Sequence, residues 1–276
     1  MLCAVLGPAG TFSEEAAQLY WGEEVVVSAA PSIPALFTML ARGEVEDVMI
    51  PIDNSQAGSI HASIDGLQEY PVCIKGEIII PIRQHLIAAR KYAPEEIELL
   101  VSQPVALLQC SDFIELVLPG VRTEICNTTT GALQIAGAES RKAAAIGNLK
   151  AARIYGLEII QEDIQNQSNT TRFLHIGRAG SDSGPGEKAS LIFSLPDTPG
   201  SLYKALGIFA TKDLNLSKIE SRPDNNKQGR FCFYIEVEMG QKQQPLNQAL
   251  EELQQYCKQV KYLGSYNKVK RCPPLI

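Results

Sequence analysis

Short apolar runs punctuate the first two thirds of the chain: "LCAVLG", "EVVVSA", "EDVMIPI", "GEIIIPI", "LLVSQP" and "AAAIGN". Each is rich in β-branched or small apolar residues and too short for a core helix, so each predicts a buried strand. Between them, "TFSEEAAQLYW" and "SIPALFTMLARGE" place apolar side chains at helical spacing behind Thr and Ser, the residue types that cap helix starts. Alternating strands and helices predict an α/β domain of largely parallel, helix-covered sheets. Two such sheets, with the chain crossing between them, form two lobes around a cleft.

The pattern breaks at "GRAGSDSGPGE", residues 177 to 187, where Gly, Ser, Asp and Pro replace the apolar runs. This predicts a domain over residues 1–178, a linker over 179–187 and a second domain over 188–276. Past the break, "KASLIFSL", "LNLSKIESRP", "RFCFYIEVEM" and "VKYLGSY" read as strands, and "DNNKQG" as a turn. "PGSLYKALGIFATKD" and "PLNQALEELQQYCK" read as helices. The order is βαββαβ, the split arrangement found in small regulatory domains.

Charge narrows the partners. With 25 Lys and Arg against 31 Asp and Glu, the net charge of −6 and the lack of a basic run argue against nucleic acid or an anionic membrane surface. A small molecule is the better expectation. The start, "MLCAVLGPAGTFSEE", has no basic n-region and only a brief apolar run, which predicts a cytoplasmic protein. Seven scattered cysteines without a CxxC pair read as reduced structural thiols, and His61, His85 and His175 lie far apart. Neither set suggests a metal site, and no cofactor motif is present.

One stretch is anomalous. "NTTRFLHIG", residues 169 to 177, reads as a strand with an arginine inside it. Period-2 alternation puts Thr171, Phe173 and His175 on one face and Arg172, Leu174 and Ile176 on the other. A buried guanidinium without a partner costs several kcal/mol or more, so the strand needs an anion: a protein carboxylate or a substrate.

Three further stretches share a design in which a glycine-permitted turn and hydroxyl residues precede a helix start. They are "GPAGTFSEEAAQLY", with Thr11 and Glu14 as a capping box, "PIDNSQAGSIHASIDGL", with Asn54 and Ser55 behind a strand, and "CNTTTGALQIAG", with Thr128 and Thr129. Any one is an ordinary helix cap. Together, at strand C-terminal ends, they describe an anion site facing the crevice of an α/β fold. Arg172 would then hold a bound carboxylate bidentately.

In this order "GPAGTFSEEAA", "PIDNSQAGSI", "TTTGA" and "NTTRFL", followed by "LPDTPGSLYKAL" and "KIESRP", resemble the prephenate dehydratases that carry a C-terminal ACT domain. The resemblance runs through essentially the whole chain. It implies a two-lobed domain like type 2 periplasmic binding proteins, and conversion of prephenate to phenylpyruvate with loss of carbon dioxide and water. It further implies Thr171 as donor to the departing hydroxyl, Arg172 as carboxylate holder or tuner of Thr171, and Phe173 as apolar wall. Thr11, Asn54, Ser55, Thr128 and Thr129 would bind substrate oxygens. Phenylalanine would bind as effector at Gly200, Ser201, Leu202, Glu220, Ser221 and Arg222, and ACT pairing would give a homodimer or homotetramer.

Some positions depart from the family pattern: Asp53 stands where Glu is usual, and Ser201 and Tyr203 where Ala and Val are usual. Two other enzymes fit the same residues, an arogenate dehydratase and a non-aromatising prephenate decarboxylase. The remaining alternative is a catalytically silent sensor of an aromatic amino acid. The intact "TRF" motif weighs against the decarboxylase and the sensor.

Overall fold

The computed structural model describes residues 2–126, 129–138, 142–181, 186–223, 231–240 and 243–268. The first lobe is built from β1 (Cys3–Leu6), α1 (Phe12–Trp21), β2 (Val27–Ala30), α2 (Ile33–Arg42), β3 (Asp47–Asn54), the short β4 (Gly58–Ser59), α3 (His61–Glu69) and β5 (Val72–Pro81). Thr11 caps α1 and Ser32 caps α2, each accepting a first-turn N–H, as the sequence predicts. Gly43 ends α2 in the left-handed conformation at φ 74°, which a Cβ would strain.

The chain then crosses into the second lobe: β6 (His85–Ala88), β7 (Leu99–Ser102), α4 (Pro104–Gln109), α5 (Ser111–Val117), β8 (Arg122–Ile125), α6 (Thr129–Ala136), β9 (Ala143–Gly147), α7 (Leu149–Ile154) and β10 (Glu158–Gln161). It returns through β11 (Thr170–Arg178), which inserts between β3 and β5 to give the order β2-β1-β3-β11-β5. The second sheet runs β10-β6-β9-β7-β8.

The sheets are parallel only in part, which corrects the expectation. β1 is parallel to β2 and β3, and β7 to β8 and β9, whereas β11 is antiparallel to both neighbours and β6 to both of its own. The antiparallel strands are those flanking the two crossings between lobes. A buried strand reads as the same apolar run in either direction, so periodicity does not reveal this.

The lobes meet where Gly10 approaches α7. Its φ is +84°, and a Cβ there would lie 3.1 Å from the Ala151 Cα. Glu14 and Lys150 form an ion pair at 2.8 Å across the same junction.

The last domain comprises β12 (Lys188–Ser194), α8 (Ser201–Ala210), β13 (Asn215–Pro223), β14 (Phe231–Glu238), α9 (Gln243–Tyr256) and β15 (Gln259–Tyr266). Its antiparallel sheet, β13-β14-β12-β15, matches the predicted βαββαβ. The predicted turn at 224–229 lies outside the described residues, as do residues 182–185 of the linker.

This domain is not a loosely tethered appendage. One sheet face packs on α8 and α9. From the other, Ile192, Tyr234, Leu263 and Tyr266 join a core cluster with Phe37, Ile50, Leu67, Leu174 and Ile176 of the first lobe. Lys261 of β15 reaches across and donates to the carbonyls of Leu67, Gln68 and Tyr70 at the C-terminal end of α3. A core shared between lobe and C-terminal domain predicts that they melt together. Scanning calorimetry should resolve no separate, lower-temperature transition for residues 188–268, and a distinct early transition would refute the shared core.

Candidate functional site

The site begins at the shared end of β3 and β11. Thr171 pairs with Asn54 and Arg172 with Asp53 in the antiparallel ladder, so the two sequence motifs are neighbours. As alternation requires, the residues of β11 divide between two faces. Thr171, Phe173 and His175 lie on the side covered by α1, and Arg172, Leu174 and Ile176 on the side covered by the C-terminal domain.

The anion beside Arg172 is protein carboxylate, which corrects the expectation of a bound ligand. Asp53 Oδ2 accepts from Nε at 3.1 Å and from Nη2 at 2.6 Å. Glu77 on β5 accepts from Nη1 at 2.7 Å. Glu236 on β14 takes both terminal nitrogens, at 2.7 and 2.9 Å, in a bidentate pair. Lys188 binds Glu236 at 2.6 Å and Glu77 at 3.1 Å, while Lys218 stands 3.4 Å from Asp53. Three carboxylates therefore balance three cations in a buried, neutral cluster that spans both domains.

Burial pushes the Glu236 carboxyl up, but Arg172 and Lys188 together pull it down from its ordinary 4.5 to about 2. Burial, the largest single influence, likewise opposes the charged form of Arg172, but the charges and hydrogen bonds of Glu236 and Asp53 together outweigh it and hold the guanidinium protonated. With every terminal nitrogen engaged, Arg172 has no fork left for a substrate.

Thr171 is different. Asn54 Oδ1 accepts the backbone N–H groups of Gln56 and Ala57 at 3.0 and 2.9 Å, a local Asx turn that fixes which way its amide points. Its Nδ2 then faces Thr171 Oγ1 at 2.9 Å and can only donate. The Thr171 oxygen is thus an acceptor, and no group among the described residues takes its proton. A hydroxyl that accepts from an amide and keeps its own hydrogen is set to donate to a third atom.

The other predicted site residues fall into two groups. Asn54 and Ser55 stand beside Thr171 but are consumed by support: Ser55 Oγ accepts from the Thr170 N–H at 3.0 Å and donates to Asn169 Oδ1 at 3.2 Å. They cap no helix, since α3 begins after Ile60 with no side-chain cap. Thr11 donates to the Leu6 carbonyl at 2.9 Å and its oxygen accepts from the Glu14 N–H as the cap, so its hydroxyl proton is committed to Leu6. Phe173 is buried among Val5, Met49, Ile78 and Ile80 beneath α1, making it core rather than an exposed wall. Thr129 opens α6. Thr128 lies outside the described residues.

Along the junction of the lobes runs a groove lined in part by Phe12, Pro81, His85 and Asn148. Its cations, Arg83, Lys150 and Arg153, are matched by Glu15, Glu23 and Glu162, so it has no net charge to draw an anion.

The predicted effector residues separate. Gly200, at φ +81°, precedes α8, and Ser201 and Leu202 line a small pocket with Asp197, Thr198, Phe231 and Phe233. Ser221 lies opposite Phe233 and shares its face, whereas Glu220 and Arg222 point to the other side. There Glu220 accepts from Ser59 Oγ at 2.7 Å, and Arg222 makes a bidentate pair with Asp65 at 2.8 and 2.9 Å. These two charges clamp β13 to the first lobe. Sequence reasoning missed Glu77, Lys188, Lys218 and Glu236, whose one visible signal is charge inside an apolar strand pattern.

Two lobes with a groove along their junction, a hydroxyl held as an acceptor by Asn54 and a βαββαβ domain docked behind it fit an α/β enzyme with an appended small domain. The comparisons make this specific: the family model "Prephenate dehydratase" matches residues 3–181 and the "ACT domain" model residues 189–255, and the chain belongs to the prephenate dehydratase family. The chain is 33% identical to the prephenate dehydratase of Lactococcus lactis, over 96% of this chain and 97% of that one. It is 34% identical to the arogenate dehydratase/prephenate dehydratase 2 of Arabidopsis thaliana, over 95% of this chain and 72% of that one. The crystal structure of the Arthrobacter aurescens prephenate dehydratase in complex with L-Phe superposes with a TM-score of 0.90 at 26% identity, covering 100% of this chain and 92% of that one.

Two outcomes follow from the buried cluster. Glu236→Gln and Arg172→Lys should each lower the unfolding free energy, Glu236→Gln by about 3–5 kcal/mol because a buried charge loses its partner. A primary loss of substrate affinity at unchanged stability would return Arg172 to a ligand role. Because the folded-state value of Glu236 is depressed, its contribution is complete above pH 4.5 and is lost as pH falls toward about 2. Acid unfolding followed by tryptophan fluorescence should therefore begin at higher pH in Glu236→Gln than in the parent, and coincident curves would contradict the assignment.

Proposed function

We propose that this chain converts prephenate to phenylpyruvate with the Thr171 hydroxyl as donor to the departing ring hydroxyl, and that phenylalanine bound at the C-terminal domain lowers the rate. The observation that carries the reading is the fixed polarity of the Thr171 hydroxyl, which accepts from Asn54 and keeps its proton for a ligand. As the ring carboxylate leaves as carbon dioxide, its bonding pair enters the ring and the C–O bond to the hydroxyl breaks, restoring aromaticity. The leaving oxygen gains negative charge and departs as water. A threonine hydroxyl is a weak acid, so its contribution is a hydrogen bond that strengthens as this charge develops, while the proton comes ultimately from solvent.

Arogenate differs from prephenate only by an ammonium in place of the side-chain keto group, and no residue at Thr171 selects between them. The reading commits to prephenate, with product identification as arbiter. Phenylpyruvate supports it, a non-aromatic keto acid identifies a decarboxylase, and turnover of arogenate alone reassigns the substrate.

For the effector, Phe231 and Phe233 offer an apolar floor, Asp197 a carboxylate for an ammonium, and the α8 N-terminus unpaired N–H groups for a carboxylate. This suits a zwitterionic amino acid with an aromatic side chain. β13 is an edge strand with Ile219 and Phe231 exposed beside it, which favours pairing with a second copy as a homodimer or homotetramer. A cytoplasmic location fits this activity.

Thr171→Ala should lower kcat by roughly 10² to 10³, the range for loss of a preorganised donor, with KM less affected. A kcat within about threefold of the parent, under 1 kcal/mol, would remove Thr171 from the chemistry. Calorimetric titration with phenylalanine should show binding, and Asp197→Asn should weaken it roughly tenfold or more, the value of a charge-assisted bond. No heat and no inhibition in the parent would leave the domain an assembly module.

A further inference from the structure

Asn169 lies two residues before Thr171 and is 4% exposed. Its Oδ1 accepts from Asn54 Nδ2 at 2.7 Å and from Ser55 Oγ at 3.2 Å. The orientation of this amide is forced. Asn54 Nδ2 is donor only, because Asn54 Oδ1 is held by the Gln56 and Ala57 N–H groups, so the atom of Asn169 facing it must be oxygen.

Asn54 Nδ2 carries two hydrogens and has three acceptors within reach: Asn169 Oδ1 at 2.7 Å, Thr171 Oγ1 at 2.9 Å and the Thr170 carbonyl at 3.2 Å. Asn169 takes the shortest of these. The Asx turn settles which end of the Asn54 amide faces Thr171 but holds it through Oδ1 alone; without Asn169 as the anchor of Nδ2, the amide can turn about its Cβ–Cγ bond toward the Thr170 carbonyl and lengthen the contact to Thr171. The Asn169 main chain is itself pinned, its carbonyl accepting from Ile82 N–H at 2.8 Å where the chain crosses between lobes.

We infer that Asn169 is a positioning residue for the reaction: it orients the Asn54 amide so that Asn54 donates to Thr171 and leaves the Thr171 proton directed at the substrate. The inference rests on the role proposed for Thr171. It assigns to Asn169 no contact with substrate. Its effect on rate must pass entirely through the Thr171 hydroxyl.

That dependence supplies the test. Asn169→Leu removes the acceptor at similar volume, while Asn169→Asp keeps an oxygen facing Asn54 and Ser55. Steady-state kinetics with prephenate should show kcat reduced in Asn169→Leu by up to about 100-fold, the scale of a misplaced catalytic group, with KM within about threefold. Asn169→Asp should recover most of the loss. In the Thr171→Ala background, Asn169→Leu should cause no further fall in kcat, whereas a general loosening of the fold would slow both backgrounds alike. Melting temperatures confirm that each variant is compared in its folded form.

Equal losses in the two backgrounds, or equal kcat for the Leu and Asp variants, would overturn the positioning role. So would a kcat for Asn169→Leu within threefold of the parent while Thr171→Ala is slow. If Thr171→Ala itself retains the parental rate, or the parent does not turn over prephenate, the functional reading fails first, and that result is distinguishable from the others.

Discussion

The fold is organised around one buried guanidinium. Arg172 sits on β11, an interior strand between β3 and β5, and low dielectric makes an unpaired charge there prohibitive. Its three carboxylates come from β3, β5 and β14, and the excess negative charge is cancelled by Lys188 and Lys218. Removing the C-terminal domain would take away Glu236, Lys188 and Lys218 together, leaving Arg172 with Asp53 and Glu77 at a face newly opened to water. The two domains are thus bound by electrostatic necessity as well as by the shared apolar core.

This arrangement makes sense of the adjacency of Thr171 and Arg172. Consecutive strand residues face opposite sides, so one backbone position turns the Thr171 hydroxyl to the α1 side and the next ties the C-terminal domain to the first lobe. β13 adds three links of its own through Lys218, Glu220 and Arg222 to Asp53, Ser59 and Asp65. Asp53 accepts from both Arg172 and Lys218, so a shift of β13 is felt one residue from Thr171. For an effector at the α8 pocket to change the rate, it must bind two states of the protein unequally, since a ligand shifts an equilibrium only by its differential affinity.

Much of this was legible in the sequence. The six apolar runs are strands, the "TRF" arginine needed an anion, and the last domain has the predicted order. Strand direction was not legible, because Ile78 and Leu174 would be equally apolar in either orientation. The partners of Arg172 were hidden too: Glu77 and Glu236 are distant in sequence, and each shows only as a charge inside an apolar strand, with no local sign of what it faces. Asp53 was noticed as a shortened carboxylate, but its partner on β13 depends on domain docking that no local pattern encodes. Asn54, Ser55 and Thr11 stand where expected, and their hydrogen bonds to neighbouring backbone and side chains were not legible, since a polar side chain beside a site looks the same in sequence whether it faces ligand or the backbone next to it.

The claim that most depends on the structure is that Arg172 and Glu236 are held together across the domain boundary. A double-mutant cycle with Arg172→Met, Glu236→Leu and the pair, read by denaturant unfolding, measures it directly. Each single change should cost several kcal/mol, and the double should cost less than their sum by more than about 1 kcal/mol, because it leaves neither charge facing its missing partner. Additivity within about 0.5 kcal/mol, the behaviour of independent sites, would contradict the account.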